Sequence, residues 1–486
     1  MEQKQKRLLA SCPCWGVATA CFFIWSSNVM AEAESAPALP CPTLSLPLAT
    51  SNPAVKHETE LGFTNLLLGW EEQACYHFAC AIEEAEKHGQ PCLMSYCGMM
   101  LAASENAAKD ANRIALLEAL NHSDATPIEL FYINTFLKLL EGDIAGAAID
   151  FEARAAKYKR DSFSRYWAIM LFHCADVGYD ILGRPEQYQA RALQLAEEQY
   201  RTSPQDFLTC YLRAYIEEAA PEVSEQALES ASRAAEMMPE HPMPSLLYGH
   251  LLYRSKQIER AIEPLKKANH LVVLNDTTRE GNRLRMISSL YLATALWTNR
   301  DDKDALQQEQ VLLKLPHDIE SQSASEMVLL RWEAHTFPLR KSLLNKEVLG
   351  VKELRTLLKT LPPLEETQDK EALRHYRECL KAALYARARM SNNDKKHALQ
   401  SLKLAKEELA AFEESMDSIF RLGPEYYTPW YRAKEVCQIA VLIAGAEVYP
   451  DPDEFWKTVI NSTIRPSTML LPPSVPMRDI TTFSRE

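Results

Sequence analysis

Residues 245–269 read Ser-Leu-Leu-Tyr-Gly-His-Leu-Leu-Tyr-Arg-Ser-Lys-Gln-Ile-Glu-Arg-Ala-Ile-Glu-Pro-Leu-Lys-Lys-Ala-Asn. The pattern predicts two short helices joined by a polar turn at Ser255–Gln257. Tyr248, Leu251 and Leu252 recur at helical spacing, and so do Ile258, Ile262 and Leu265. Gly249 falls inside the first helix, where glycine costs about 1 kcal/mol relative to alanine. A glycine in that place needs a packing reason, and close approach of the second helix at Ala261 supplies one.

The unit recurs along the chain. Gly249, Ala261, Leu265 and Ala268 share their offsets with Gly62, Ala74, Phe78 and Ala81, with Ala293, Ala305, Glu309 and Leu312, and with Ala386, Ala398, Leu402 and Ala405. Two looser copies are Thr135, Ala147, Phe151 and Arg154, then Ala227, Ala231 and Ala234 with Pro239 closing the second helix. The pattern Leu61-Gly62 followed by Ala74-x3-Phe78 resembles the tetratricopeptide repeat, whose motif runs Leu-Gly, Ala-x3-Phe, Pro. Gly142-Asp143 is similar to that family's inter-helix turn. The aromatic that opens the family motif is absent from most copies, and residues 315–360 match poorly. The resemblance implies an all-α fold over residues 57–447, with tetratricopeptide-like helical-hairpin repeats stacked into an α-solenoid. Tyr426-Tyr427-Thr428-Pro429-Trp430-Tyr431 opens a final apolar helix to Ala446, which resembles the last helix of some bacterial members and is expected to cap the array.

Composition agrees with a helical chain. Only 14 of the 486 residues are glycine, and no long alternating Val/Ile/Thr run predicts a sheet. The net charge of −13 provides no global basic field for nucleic acid.

The first 31 residues have the order of a secretory signal peptide: Lys4, Lys6 and Arg7, an apolar run from Leu8 to Trp25, then the small-x-small triplet Val29-Met30-Ala31. An uncleaved anchor is the alternative, and the only route by which the chain would meet a membrane. Export places the protein in the periplasm or cell envelope. Residues 32–56 carry Pro37, Pro40, Pro42, Pro47 and Pro53 and read as a linker; residues 448–486 read as an extension ending in a flexible tail.

Nine cysteines follow residue 31, an odd number that makes no tidy disulfide framework. Cys80 and Cys97 fall at nearly equal distances from a turn at His88–Pro91. A disulfide between them, a zinc site with Cys75 and Cys92, and plain burial as small apolar residues are the three readings. Burial is the ordinary fate of such cysteines, and a five-residue step on a helix spaces thiols poorly for zinc. Glu197-Glu198 and Glu217-Glu218 are adjacent, point to different helix sectors, and read as solvated faces rather than catalytic pairs. His173, Asp176 and Asp180 read as the polar edge of two core-packed helices. No phosphate-binding loop, dinucleotide fingerprint, His-Glu-x-x-His or Gly-x-Ser-x-Gly motif is present, and no catalytic residue, metal or cofactor is assigned.

The expected function is that of an exported scaffold binding a protein or peptide on its concave face, as the resemblance implies. Alternatives are a small-ligand or glycan receptor using aromatics of the same groove, and an enzyme whose site is spatial rather than motif-borne. Since Gly249 faces its partner helix, the stripe Leu246, His250 and Tyr253, with Arg254 alongside, is expected to face the groove. Leu290, Thr294 and Trp297 continue it, and Arg387 takes the matching place in the late copy. Histidine, aromatics and arginines suit a binding surface; the competing reading is that these residues are buried between repeats.

Overall fold

A computed structural model describes residues 44–46, 48, 50–89, 92–103, 106–121, 125–178, 185–219, 223–274, 279–299, 302–318, 333–334, 336–344, 348–359, 370–419, 427–449 and 451. The predicted signal peptide, the first part of the Pro-rich segment and the tail from residue 452 lie outside them. Nineteen α-helices and no strand occur among the described residues. They are α1 (Pro53–Leu67), α2 (Glu71–Lys87), α3 (Leu93–Ala102), α4 (Asn106–Asn121), α5 (Pro127–Leu140), α6 (Ile144–Lys157), α7 (Ser162–Gly178), α8 (Pro185–Thr202), α9 (Phe207–Ile216), α10 (Glu225–Met237), α11 (Pro242–Arg254), α12 (Ile258–Leu274), α13 (Arg279–Asn299), α14 (Asp302–Asp318), α15 (Phe337–Leu344), α16 (Val351–Lys359), α17 (Lys370–Ser391), α18 (Lys395–Ile419) and α19 (Tyr427–Val448).

The hairpins share one turn. Gly69, Gly142, Lys256 and Asn393 follow α1, α5, α11 and α17 with φ of 72°, 91°, 65° and 57°. In each case the next residue donates its N–H to the carbonyl five positions back: Trp70 to Asn65 (2.9 Å), Asp143 to Lys138 (3.0 Å), Gln257 to Leu252 (2.9 Å) and Asp394 to Arg389 (2.9 Å). This is the left-handed closure that satisfies the last carbonyls of a helix. The carbonyl of that same residue then accepts the first bond of the second helix, from Ala74, Ala147, Ala261 and Ala398. The recurring alanine of the sequence pattern is therefore the residue at which the second helix begins to hydrogen-bond.

All the recurring small or apolar positions are buried. Ala74, Phe78, Ala81, Ala147, Phe151, Ala261, Leu265, Ala268, Ala305, Leu312, Ala398 and Ala405 are 0% exposed, as are the looser Ala227, Ala231 and Ala234. Gly249 is a point of close approach, against a different partner from the one expected. A Cβ there would lie 2.7 Å from Leu265 Cγ, whereas Ala261 is not among its nearest neighbours.

The chain divides into two compact units. The first comprises residues 1–176, 182–212 and 274–282. Its core is a run of packed aromatic rings. Phe63 meets Phe78 edge-on at 4.9 Å and Phe163 at 5.1 Å, while Phe136 meets Trp167 at 4.8 Å. Cβ atoms on Gly62 and Gly98 would come within 2.4 and 2.2 Å of the Phe78 ring, so α1 and α3 both close on this one residue of α2. Here too the capping chemistry repeats. Asp161, just before α7, accepts from Ser164 N–H (3.0 Å) and from Tyr132 Oη (2.9 Å); Asp206, just before α9, accepts from Thr209 N–H (2.7 Å) and Tyr166 Oη (2.7 Å). Burial beside these carboxylates pushes both tyrosine hydroxyls well above the ordinary phenol range. His173, on α7, pairs through Nδ1 with Gln189 Oε1 at 3.0 Å.

The second unit comprises residues 177–181, 213–273 and 283–486. Its C-terminal core joins α17, α18 and α19 through Tyr376, Leu380, Ala383, Phe412, Ala440 and Val441. Val441, Leu442 and Ile443 are buried in it, in keeping with a closing helix rather than a membrane segment. No described helix is long and apolar enough to cross a membrane. The poorly matching stretch contains the short α15 and α16, both packed on α17.

The N-terminal region departs from expectation at one place. Within the stretch expected as a linker, Leu44 and Leu46 are buried, and α1 begins at Pro53, with Asn52 accepting from Ala54 N–H as its N-cap. Of the three readings of the cysteines, the structure has Cys80 and Cys97 as free thiols, Cys97 buried and Cys80 half-buried. Burial raises the pKa of both. Cys92 behaves as a small buried residue, its sulfur accepting from Ser95 Oγ at 3.1 Å within a cluster of Val55, Ala81 and Ala85.

Candidate partner-binding site

The stripe predicted on α11 and α13 starts from the end of α9. There the helix tightens into a 3₁₀ turn at Glu217–Ala219, leaving carbonyls that the helix itself does not satisfy. Arg254, from the last turn of α11, donates Nη1 to the carbonyls of Glu217 (3.0 Å) and Glu218. A guanidinium against helix-end carbonyls is favoured by both hydrogen bonding and the helix dipole. One turn back on α11, His250 Nδ1 meets Glu218 Oε1 at 2.8 Å, and its ring stacks on Tyr291 of α13 at 4.3 Å. The Glu217 carboxylate turns the other way. It accepts from Ser224 N–H (2.9 Å) and Ser224 Oγ (2.8 Å), while Ser224 Oγ caps α10 at Ala227 N–H. Arg213 of α9 bonds to Gln226 and Ser230 in α10.

Glu217 and Glu218 are thus not the solvated face expected of them: Glu217 is 6% exposed and Glu218 is committed to His250. They diverge, as adjacent helical residues must, and form no carboxylate pair.

The remaining predicted residues are buried or half-buried. Tyr253 Oη lies 3.3 Å from Thr298 Oγ1, and Thr294 Oγ1 donates to the Leu290 carbonyl. Trp297 is half-buried beneath Lys341, whose Nζ is 3.7 Å from the ring centroid and 2.9 Å from Glu309 Oε2. Its buried Nε1 has no hydrogen-bond partner among the described residues. Arg387 is apart from this group, bonded to Glu447 of α19 at 2.8 Å. His250, Arg254, Thr294 and Arg387 are all buried, as are Leu246 and Leu290. His250, Arg254 and Thr294 therefore lie in a joint among α9, α11 and α13, while Tyr253 and Trp297 stay partly exposed. The physical reason is that its hydrogen-bonding groups face helix ends and carboxylates of their own unit.

One contact was missed in the sequence. Leu44 N–H donates to Thr64 Oγ1 at 3.1 Å and Leu46 N–H to Glu60 Oε1 at 2.8 Å, both buried. The Pro-rich composition around Leu44 and Leu46 hid it; the Leu-x-Leu spacing was the available signal. No group of three or more His, Cys, Asp or Glu residues that could hold a metal occurs among the described residues.

No family model matches the sequence, and no curated protein matches it.

Proposed function

We propose that this protein is an exported helical-repeat adaptor, tetratricopeptide-like and stacked as an α-solenoid, which binds a protein or peptide partner. The observation that carries the reading is the repeated hairpin. One turn geometry and one set of buried positions recur from α1 to α18. An array of this kind places each unit against its neighbours and leaves long continuous helix surfaces for a partner. The partner surface lies away from His250 and Arg254, whose hydrogen bonds are spent inside the array. Export rests on the order of charge, apolar run and small residues in the first 31 positions.

Affinity capture of the tagged protein from its native envelope fraction, with partners identified by mass spectrometry, tests the adaptor reading. A reproducible stoichiometric partner is expected, and its absence under mild crosslinking refutes the reading. N-terminal sequencing of the native protein is expected to begin at Glu32 or within a few residues; an intact Met1 on the soluble cytoplasmic protein refutes export.

A further inference from the structure

The segment ahead of α1 is bound to that helix. Leu44 and Leu46 are 3% and 1% exposed, whereas Ser45 between them faces solvent. That is the two-residue alternation of an extended strand. Among the described residues no strand holds its main chain; side chains of α1 do, and the Leu46 carbonyl accepts from Leu48 N–H at 3.0 Å. Leu44 N–H donates to Thr64 Oγ1 and Leu46 N–H to Glu60 Oε1. Thr64 gives its own hydroxyl proton to the Glu60 carbonyl at 2.8 Å, which leaves an oxygen lone pair for the strand. Acceptors one helical turn apart repeat at about 6 Å, close to the about 6.6 Å between alternate residues of a strand. The two spacings match well enough for a helix to read alternate N–H groups of an extended chain.

The helix side of this contact is built for the task. Glu60 is 8% exposed and Thr64 0%. A carboxylate so far from water requires compensation, and Glu60 has it from the Leu46 N–H and from Lys56 Nζ at 3.9 Å. These polar groups read main chain only. The choice of sequence lies in the two buried leucine positions, the division of labour found where proteins recognise extended peptides.

We infer that the face of α1 bearing Glu60 and Thr64 is a recognition site for an extended Leu-x-Leu segment of another protein, and that residues 44–46 fill it as an internal ligand. The inference rests on the adaptor reading and names its partner class. A tethered segment competes at an effective concentration in the millimolar range. The partner's segment therefore enters when the internal one is displaced.

The test uses the full chain and a fluorescein-labelled peptide of residues 43–51, followed by anisotropy. Leu44→Asp with Leu46→Asp expels the internal segment. The peptide is expected to bind this variant at least tenfold more tightly than the wild type. Adding Glu60→Ala is expected to weaken that binding at least tenfold, and a peptide carrying the same two aspartates is expected not to bind. Equal binding to wild type and variant, or none to a folded variant, overturns the inference. Should the variant not fold, a protease site between Thr50 and Ser51 of the wild type gives the same answer. After cleavage the labelled peptide is expected to exchange into the site, and a cut segment that never exchanges overturns the proposal. Capture of one partner in equal yield by wild type and double variant sinks this inference while leaving the adaptor reading intact. Capture of none by either sinks the adaptor reading, and the peptide measurement still decides the site.

Discussion

His241 makes the stability of the second unit depend on pH. It is 0% exposed and stands as N-cap of α11, where Nδ1 accepts the Met243 N–H at 3.2 Å. That bond requires an unprotonated Nδ1, and burial pushes the imidazole down to about 3 from an ordinary 6.5. The folded state thus holds His241 neutral at pH values where the unfolded chain takes up a proton. Stability contributed by the neutral form is complete above about pH 6.5 and declines as pH falls toward 3, by about 1.4 kcal/mol per unit. By pH 5 the loss from this one residue is about 2 kcal/mol. His241→Asn keeps an N-cap acceptor and removes the titration. Urea midpoints of wild type and variant, followed by circular dichroism at pH 7.5 and pH 5.0, isolate the effect. Wild type is expected to lose about 2 kcal/mol more than the variant between the two conditions. Equal losses would falsify the assignment of a buried neutral imidazole.

Three further outcomes follow from the geometry. Gly249→Ala is expected to destabilise by about 1–3 kcal/mol, because the new methyl meets Leu265 at 2.7 Å; helix propensity alone predicts a gain of about 1 kcal/mol, so the sign of the shift in thermal midpoint decides between them. Lys256→Gly is expected to stabilise by about 0.5–1 kcal/mol, since its φ of 65° suits glycine, and a loss in urea denaturation would show that the lysine side chain matters more than the strain. Arg254→Ala is expected to cost about 1.5–3 kcal/mol by removing a charged donor from the Glu217 and Glu218 carbonyls, read as a fall in the unfolding midpoint; an unchanged midpoint with weakened partner binding would restore Arg254 to a binding surface.

The helical class and the hairpin unit were legible in the sequence because they depend on local rules. Glycine or asparagine at a left-handed turn, alanine where the second helix begins, and apolar residues at helical spacing act within a few positions of one another. The offsets of Gly62, Ala74, Phe78 and Ala81 therefore led to buried positions directly. The turn at Ser255–Gln257 was read, but the left-handed backbone of Lys256 within it was not, because a lysine at φ 65° has no compositional mark. The face on which a side chain ends was not legible. His250 and Arg254 have the composition of a binding stripe, but the end of α9, more than thirty residues earlier, receives them. Leu44 and Leu46 lie in a segment with the composition of a linker, yet Glu60 and Thr64 hold their main chain. Helical periodicity identifies one-dimensional faces, and burial then selects among them by what packs opposite. That partner is chosen by contacts between distant residues, so the tertiary structure alone decided which polar residues are joints and which side chains hold an extended segment.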